Sequence, residues 1–502
     1  MLKILLLSAS AALLAPCAWS AAPTEDTALT IYSSARPGGV PAEYYRPQPG
    51  QGAPSASGVP GYAMVRQERN VQLSAGRTQL QFTDVAALID PTTVTFTSLT
   101  EPDARVLEQN FQFDLVSTDK LLLKYIDKPV TVERSGTAGG NVTGTLISSA
   151  DGLVLRGTDG SITALRDYSA LRFPDLPGGL ISRPTLQWDI AATRGGEHRA
   201  RVTYQTGGVT WWADYNLLYQ DGKDPGSGFV DLSSWVSIIN QSGASYPDAK
   251  LKLIAGDVHR TPVPQRVVMD RIQTMAAKAD AGFEEQAFDE FHLYTLGRRT
   301  SLPNNSTKQI ELFDQARRVP AQRLLVFAAN PGFFGGPVPY EGRDSQPTGN
   351  TKVNTYLQLR NDKASGLGVP LPAGRVRVSR LDPADNSLEF IGEDVIDHTP
   401  RDERVRVRLG SAFDVVGERK QLNFSSDSKA RWMEEEIEVE LRNHKDQAVE
   451  VQVRETLFRW NNWKILSSSQ PYTKEDANTI AAAVKVAANG SATLRYRVRY
   501  TW

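Results

Sequence analysis

The chain has 502 residues, 56 of them Lys or Arg and 57 Asp or Glu, and its single cysteine is Cys17. That length exceeds one hydrophobic core and implies three or more domains. So even a charge balance supplies no global pull toward nucleic acid or anionic lipid, and nucleic-acid binding is set aside.

Residues 1–20 read as a signal peptide. Lys3 is the basic n-region, Ile4 to Leu14 the apolar h-region, and Ala18-Trp19-Ser20 places small residues where a signal peptidase cuts. The apolar run is shorter than the roughly 20 residues that span a bilayer. Leu14-Ala15-Pro16-Cys17 offers a lipoprotein alternative, but proline directly before the cysteine fits that processing poorly. Cleavage removes Cys17, so the mature chain would lack thiols and disulfides and rely on ordinary cores. The expected location is periplasmic or secreted, with outer-membrane association as a variant. No later stretch is apolar enough for a transmembrane helix.

Residues 21–127 read as an N-terminal β domain, with strand signals at Leu29–Tyr32, Tyr62–Val65, Leu80–Phe82 and Val94–Phe96, and a Pro/Gly-rich insertion at 35–61. In 128–185 short apolar runs alternate with Gly139-Gly140, Asp151-Gly152 and Asp159-Gly160, which predicts a small SH3-like β-barrel. Residues 186–430 read as a β-sandwich region in which Trp211, Ala213, Tyr215, Leu217 and Tyr219 share one face. Between Val267 and Phe283 apolar residues fall at helical spacing, so 264–290 reads as a helical or mobile link. Residues 431–502 form a closing β-sandwich segment. Beyond the Asn489-Gly490 hairpin signal, Leu494, Tyr496, Val498, Tyr500 and Trp502 point one way and Arg495, Arg497 and Arg499 the other. The fold class is therefore mainly β: multi-domain antiparallel β-sandwiches, a small SH3-like β-barrel insert, and at most one short helical linker.

Several stretches look familiar together: Trp211-Trp212-Ala213-Asp214-Tyr215, Asp248 to Asp257, Asn305 to Phe313, Gly366 to Gly374, Gly392 to Pro400, Ala412 to Lys420 and Tyr496 to Trp502. In this order they resemble the bacterial exported domain-of-unknown-function 4139 family, whose core domain is shared with mucoidy-inhibitor-A-like proteins. The resemblance is strong over Leu186 to Trp502 and weaker over Tyr62 to Val94. It implies an envelope β protein and carries over no catalytic residue. The 35–61 insertion and the lack of a long coiled-coil segment depart from the pattern.

Catalytic signatures are missing: there is no G-x-S-x-G, G-x-x-x-x-G-K-[ST], H-E-x-x-H, C-x-x-C or G-x-G-x-x-G. No cofactor is expected, and the chain reads as a binding or scaffolding protein rather than an enzyme. Glu393, Asp394, Asp397 and His398, with Asp402 and Glu403, are the densest polar cluster. They suit a divalent cation or acid–base work, or more plainly a turn whose carboxylates pair with Arg401 and Arg404. Asp257 with His259 is a second such turn, and His292 reads as a satisfied strand residue. Trp212, on the face opposite Trp211 and beside Asp214, could stack on a sugar ring, as could Trp460, Trp463 and Tyr472. Arg495, Arg497 and Arg499 offer a phosphate or acidic-glycan stripe, or cross-strand pairs with Glu434–Glu436 and Glu438 worth about 0.2–1 kcal/mol each.

The leading expectation is an exported cell-envelope (periplasmic) β-sandwich protein that binds or scaffolds an envelope glycan or protein partner. Two alternatives stand beside it. One is an outer-membrane β-barrel, suggested by a terminal strand ending on Trp502. The other is a metal-dependent hydrolase using the 393–403 loop.

Overall fold

The computed structural model describes residues 26–33, 39–46, 55–135, 140–255, 283–288, 291–328, 338–343, 351–382 and 384–502. The expected signal peptide at 1–20, Asp257, His259, residues 264–282 and parts of the 35–61 insertion lie outside the described residues. The chain is mainly strand and divides into two compact units. One comprises residues 26–28 and 65–205, the other residues 29–64 and 206–502. Residues 65–205 of the first are thus inserted in sequence between the two pieces of the second.

In the inserted unit, Tyr62–Leu73, Gly196–Thr206 and Ile89–Ser98 run side by side in one sheet. Thr185–Ala192 lies between Gly76–Thr83 and Arg105–Gln112 in another. Trp188 of the second sheet is fully buried, with Phe82 at 5.5 Å and Phe96, from the first sheet, at 5.3 Å. Its indole N–H donates to Gln109 at 2.7 Å, which answers the polar demand of a buried tryptophan.

The five short strands expected to form a barrel are present. Their order is Tyr168–Arg172, Pro129–Arg134, Asn141–Ser148, Leu153–Arg156, Ile162–Leu165. Consecutive strands Ile162–Leu165 and Tyr168–Arg172 sit on opposite edges although two residues separate them, so the sheet must curl. Among the described residues no ladder joins those edges, which corrects the expected closed barrel to an open, curled sheet. A helix, Thr118–Lys124, contributes Leu122 and Tyr125 to the core of Val130, Val132, Leu146 and Leu155, so apolar side chains are covered without edge closure. This α-helix was not expected from the sequence, although Ser117 caps it by accepting from the Lys120 N–H. Conversely, Phe283–Phe288, placed within the expected helical link, is a strand paired antiparallel with Phe291–Leu296.

In the larger unit that hairpin continues through Tyr246–Ala255 to Asp26–Tyr32. A second, larger sheet runs through Leu388–Ile396, Gly374–Leu381, Val209–Asp221, Ser227–Asn240, Ala316–Phe327, Lys352–Arg360, Arg404–Asp427, Trp432–Asn443, Gly490–Thr501 and Trp463–Ser468. It forks at Ala316–Phe327. One edge of that strand pairs with Ser227–Asn240 as far as Gln322, then with Val449–Thr456, in parallel, from Leu325 onward. Val449–Thr456 carries Thr479–Val486, and these two strands form the second layer of the C-terminal sandwich. The core between the layers contains Phe327, Ile437, Val439, Val451, Val453, Val484, Leu494, Tyr496, Val498 and Tyr500. Burial stabilises by roughly 1.5–3 kcal/mol for each large apolar side chain.

The terminal strand is therefore internal to an open sheet, and its apolar face meets protein. Among the described residues no sheet closes into a barrel. An outer-membrane barrel would turn that face to lipid, so this alternative is not met. Among the described residues no helix is long and apolar enough to cross a membrane.

Candidate functional site

Trp212 and Asp214 share the outer face of Val209–Asp221. Trp212 is half-buried under Val40, Val59 and Tyr45, with the Tyr45 ring at 5.3 Å. Asp214 is buried; it accepts from Ser237 Oγ at 2.9 Å and from Arg377 Nη1 at 3.4 Å. Arg377 Nε donates to Glu393 at 2.9 Å, so one guanidinium links the two predicted carboxylates across three strands.

Asp394 and Glu393 are adjacent in a strand and face opposite sides. Asp394 accepts from the backbone N–H groups of Arg408 at 2.7 Å and Val395 at 2.9 Å. Asp397 is exposed, and His398 Nδ1 accepts from the Ala373 N–H at 3.0 Å. Buried Asn361 holds this turn through the carbonyls of Val369 and Pro400. The cluster is thus dispersed: Glu393, Asp394 and His398 are each engaged by the fold, and Asp397 stands exposed. Among the described residues no group of three metal-ligating side chains forms. The 393–403 loop supplies no such group among the described residues.

Arg495, Arg497 and Arg499 form a ladder with Glu438 and Glu434. Arg495 Nε meets Glu438 at 2.5 Å, Arg499 Nε meets Glu434 at 2.6 Å, and Arg497 also pairs with Glu434. Arg499 additionally lies over the Trp432 ring at 4.8 Å. Each arginine of the stripe thus meets a carboxylate, two of them the same one.

Two arrangements were not found from the sequence. One is a buried polar network inside the C-terminal sandwich. Arg419 Nε donates to Glu455 at 2.9 Å, as does the Tyr496 hydroxyl at 2.6 Å. Arg459 Nε donates to Glu435 at 2.8 Å, as does the Tyr500 hydroxyl at 2.9 Å. Burial pushes both tyrosines well above their ordinary value, with nearby carboxylates adding to it. Arg459 further holds the carbonyls of Tyr340 and Gly342 and lies over the Phe424 ring at 4.7 Å. These groups are closed to solvent and hold the sandwich together. Ser98, His198 and Glu101 in the other unit are likewise buried. There Ser98 Oγ is 3.1 Å from His198 Nδ1 and accepts from the Glu101 N–H at 3.0 Å, which fixes a turn.

The other arrangement is a cleft of about 1250 Å³ at the sheet fork. It opens because Ser227–Asn240 and Val449–Thr456 diverge from the same edge of Ala316–Phe327. Its floor is Gln322 to Leu325 with Gln358, Arg404 and Arg406. One wall is the Asp221–Gly226 turn with Arg380; the other is the outer face of the Val449–Thr456 and Thr479–Val486 pair. Lys223, Arg323, Arg380, Arg404, Arg406, Lys445 and Lys485 line it, against Asp221, Asp224, Glu450 and Glu475. Arg380 takes up Asp221 at 2.5 Å, and Glu475 is held by Arg454, outside the lining, at 2.6 Å. Burial, reinforced by Asp221, pushes the Tyr219 hydroxyl up to about 12, so it stays a neutral donor. None of the nine residues predicted to bind ligand lies in the cleft; of the aromatic candidates, Tyr472 does. Its lining comes from segments far apart in the chain, so no local spacing announced it.

Fold and cleft define a multi-sheet β protein with an open, charge-lined groove in its larger unit. The chain belongs to the family described as domain of unknown function (DUF4139), whose model matches residues 200–502. Every residue lining the cleft falls within that span. No curated protein matches the chain.

Proposed function

We propose that the protein is exported to the cell envelope and there binds or scaffolds an envelope component, a glycan or a protein partner, through the cleft at the sheet fork. The cleft carries this reading: it is a wide, open groove lined by charged side chains on strands and the turns between them, room enough to receive a ligand. The signal-like residues 1–20 support export. The Ser227 hydroxyl in the lining is engaged in its own turn, donating to the Asp224 carbonyl at 2.7 Å. That favours holding a ligand over attacking it.

Cell fractionation with mass measurement of the mature N-terminus tests the location; a processed chain in the envelope fraction is expected. Thermal shift of the purified protein against envelope polymer fractions tests binding. An unprocessed cytoplasmic chain that no fraction stabilises would sink the reading.

A further inference from the structure

We infer that the cleft takes a segment of a carboxylate-bearing acidic polysaccharide, a refinement that rests on the cleft being the ligand site. Charge is the first argument. Among the described residues Lys223, Arg323, Arg404, Lys445 and Lys485 make no side-chain ion pair or hydrogen bond, yet all line one groove. Unmet cations on a protein whose overall charge is −1 are a local feature rather than a global bias.

The uncharged lining gives the second argument. Gln322 and Gln447 supply amides that both donate and accept, the pairing that sugar hydroxyls require, whereas Gln358 already accepts from Arg406 and Gln452 already donates to Glu475. Tyr472 is 42 % exposed at the wall, and the neighbouring Ala481 and Ala483 leave that wall low, so a ring can lie against it. Nucleic-acid strands call for successive aromatic platforms, and this groove offers one exposed ring beside the enclosed Tyr219. Size is the third. Compact small-molecule pockets run to about 300–1,000 Å³; an open groove of about 1250 Å³ suits several linked units of a chain.

The test uses the full chain and four probes: oligogalacturonate, dextran sulfate, dextran and a short DNA duplex, titrated calorimetrically at low and high salt. Oligogalacturonate is expected to bind. Both raised salt and the double variant Arg404→Glu/Lys485→Glu are expected to weaken it tenfold or more, with the thermal midpoint unchanged. The variant Arg495→Glu, outside the groove, should leave binding intact. Dextran or duplex bound as tightly as oligogalacturonate would overturn the proposal, as would dextran sulfate bound alone, or galacturonate binding indifferent to the double variant. If no acidic probe binds while an envelope fraction still raises the thermal midpoint, this inference fails and the broader binding role stands. If neither occurs, both fail.

Discussion

Arg459 and Arg495 each meet a glutamate, and burial separates what those contacts do. The Arg459 and Glu435 side chains are 0 % and 1 % exposed, whereas the Arg495 side chain is 61 % exposed. Removing one partner of a buried pair strands the other charge, so Arg459→Met should cost about 3–5 kcal/mol. Arg495→Ala should cost less than about 1 kcal/mol. Urea denaturation of the two variants measures both. Tyr496 and Tyr500 add a pH signature. Their folded values lie well above 10.0, so the unfolded chain releases these protons first as pH rises. Stability is then fully present below about pH 10 and falls above it. Thermal midpoints from pH 8 to 11 should show this decline, and Tyr496→Phe should flatten it. The exposed ladder was legible because arginine and apolar residues alternate strictly from Leu494 onward. The buried network was not, because Glu434-Glu435-Glu436 and Glu418-Arg419-Lys420 put charge on both faces and hide which member points inward.

At the scale of the element, Gly490–Thr501 is paired on both sides, by Trp432–Asn443 and by Trp463–Ser468. Deleting Thr493–Trp502 removes four buried core residues and opens two ladders at once. The truncated chain should lose its cooperative unfolding transition; an unchanged melting profile would refute the strand's central role. Gly417 is placed for close approach: a Cβ there would lie 2.4 Å from the Phe327 ring. Gly417→Ala should destabilise by about 1–3 kcal/mol through overpacking, which chemical denaturation would read. Period-two alternation made most strands legible. The short helix Thr118–Lys124 spans too few residues for its periodicity to stand out. The fork at Ala316–Phe327 depends on partners nearly a hundred residues to one side and over a hundred to the other, and pairing at that distance leaves no local pattern.

For the whole molecule, the consequential fact is that residues 29–64 pack with residues 206–502. Leu29 and Ile31 are fully buried, and Val40 and Val59 cover Ile239 and Trp212. A fragment limited to residues 200–502 should therefore be poorly soluble. Residues 26–64 joined to 206–502 by a short flexible linker should give a cooperatively folding protein; circular dichroism melts of the two would decide. A reading in chain order cannot contain this, since nothing local marks the early strand as belonging with a partner beyond residue 205.

The insertion leaves along Tyr62–Leu73 and returns along Gly196–Thr206, strands that are neighbours in one sheet and so only about 5 Å apart. A module with adjacent ends behaves as a genetic cassette. Residues 65–205 could be gained, exchanged or lost in a single recombination event without replacing any cleft residue, all of which lie between Tyr219 and Lys485. Lineages carrying this domain would then diversify fastest in the inserted module while the groove drifts slowly, a pattern that comparing many such chains would expose.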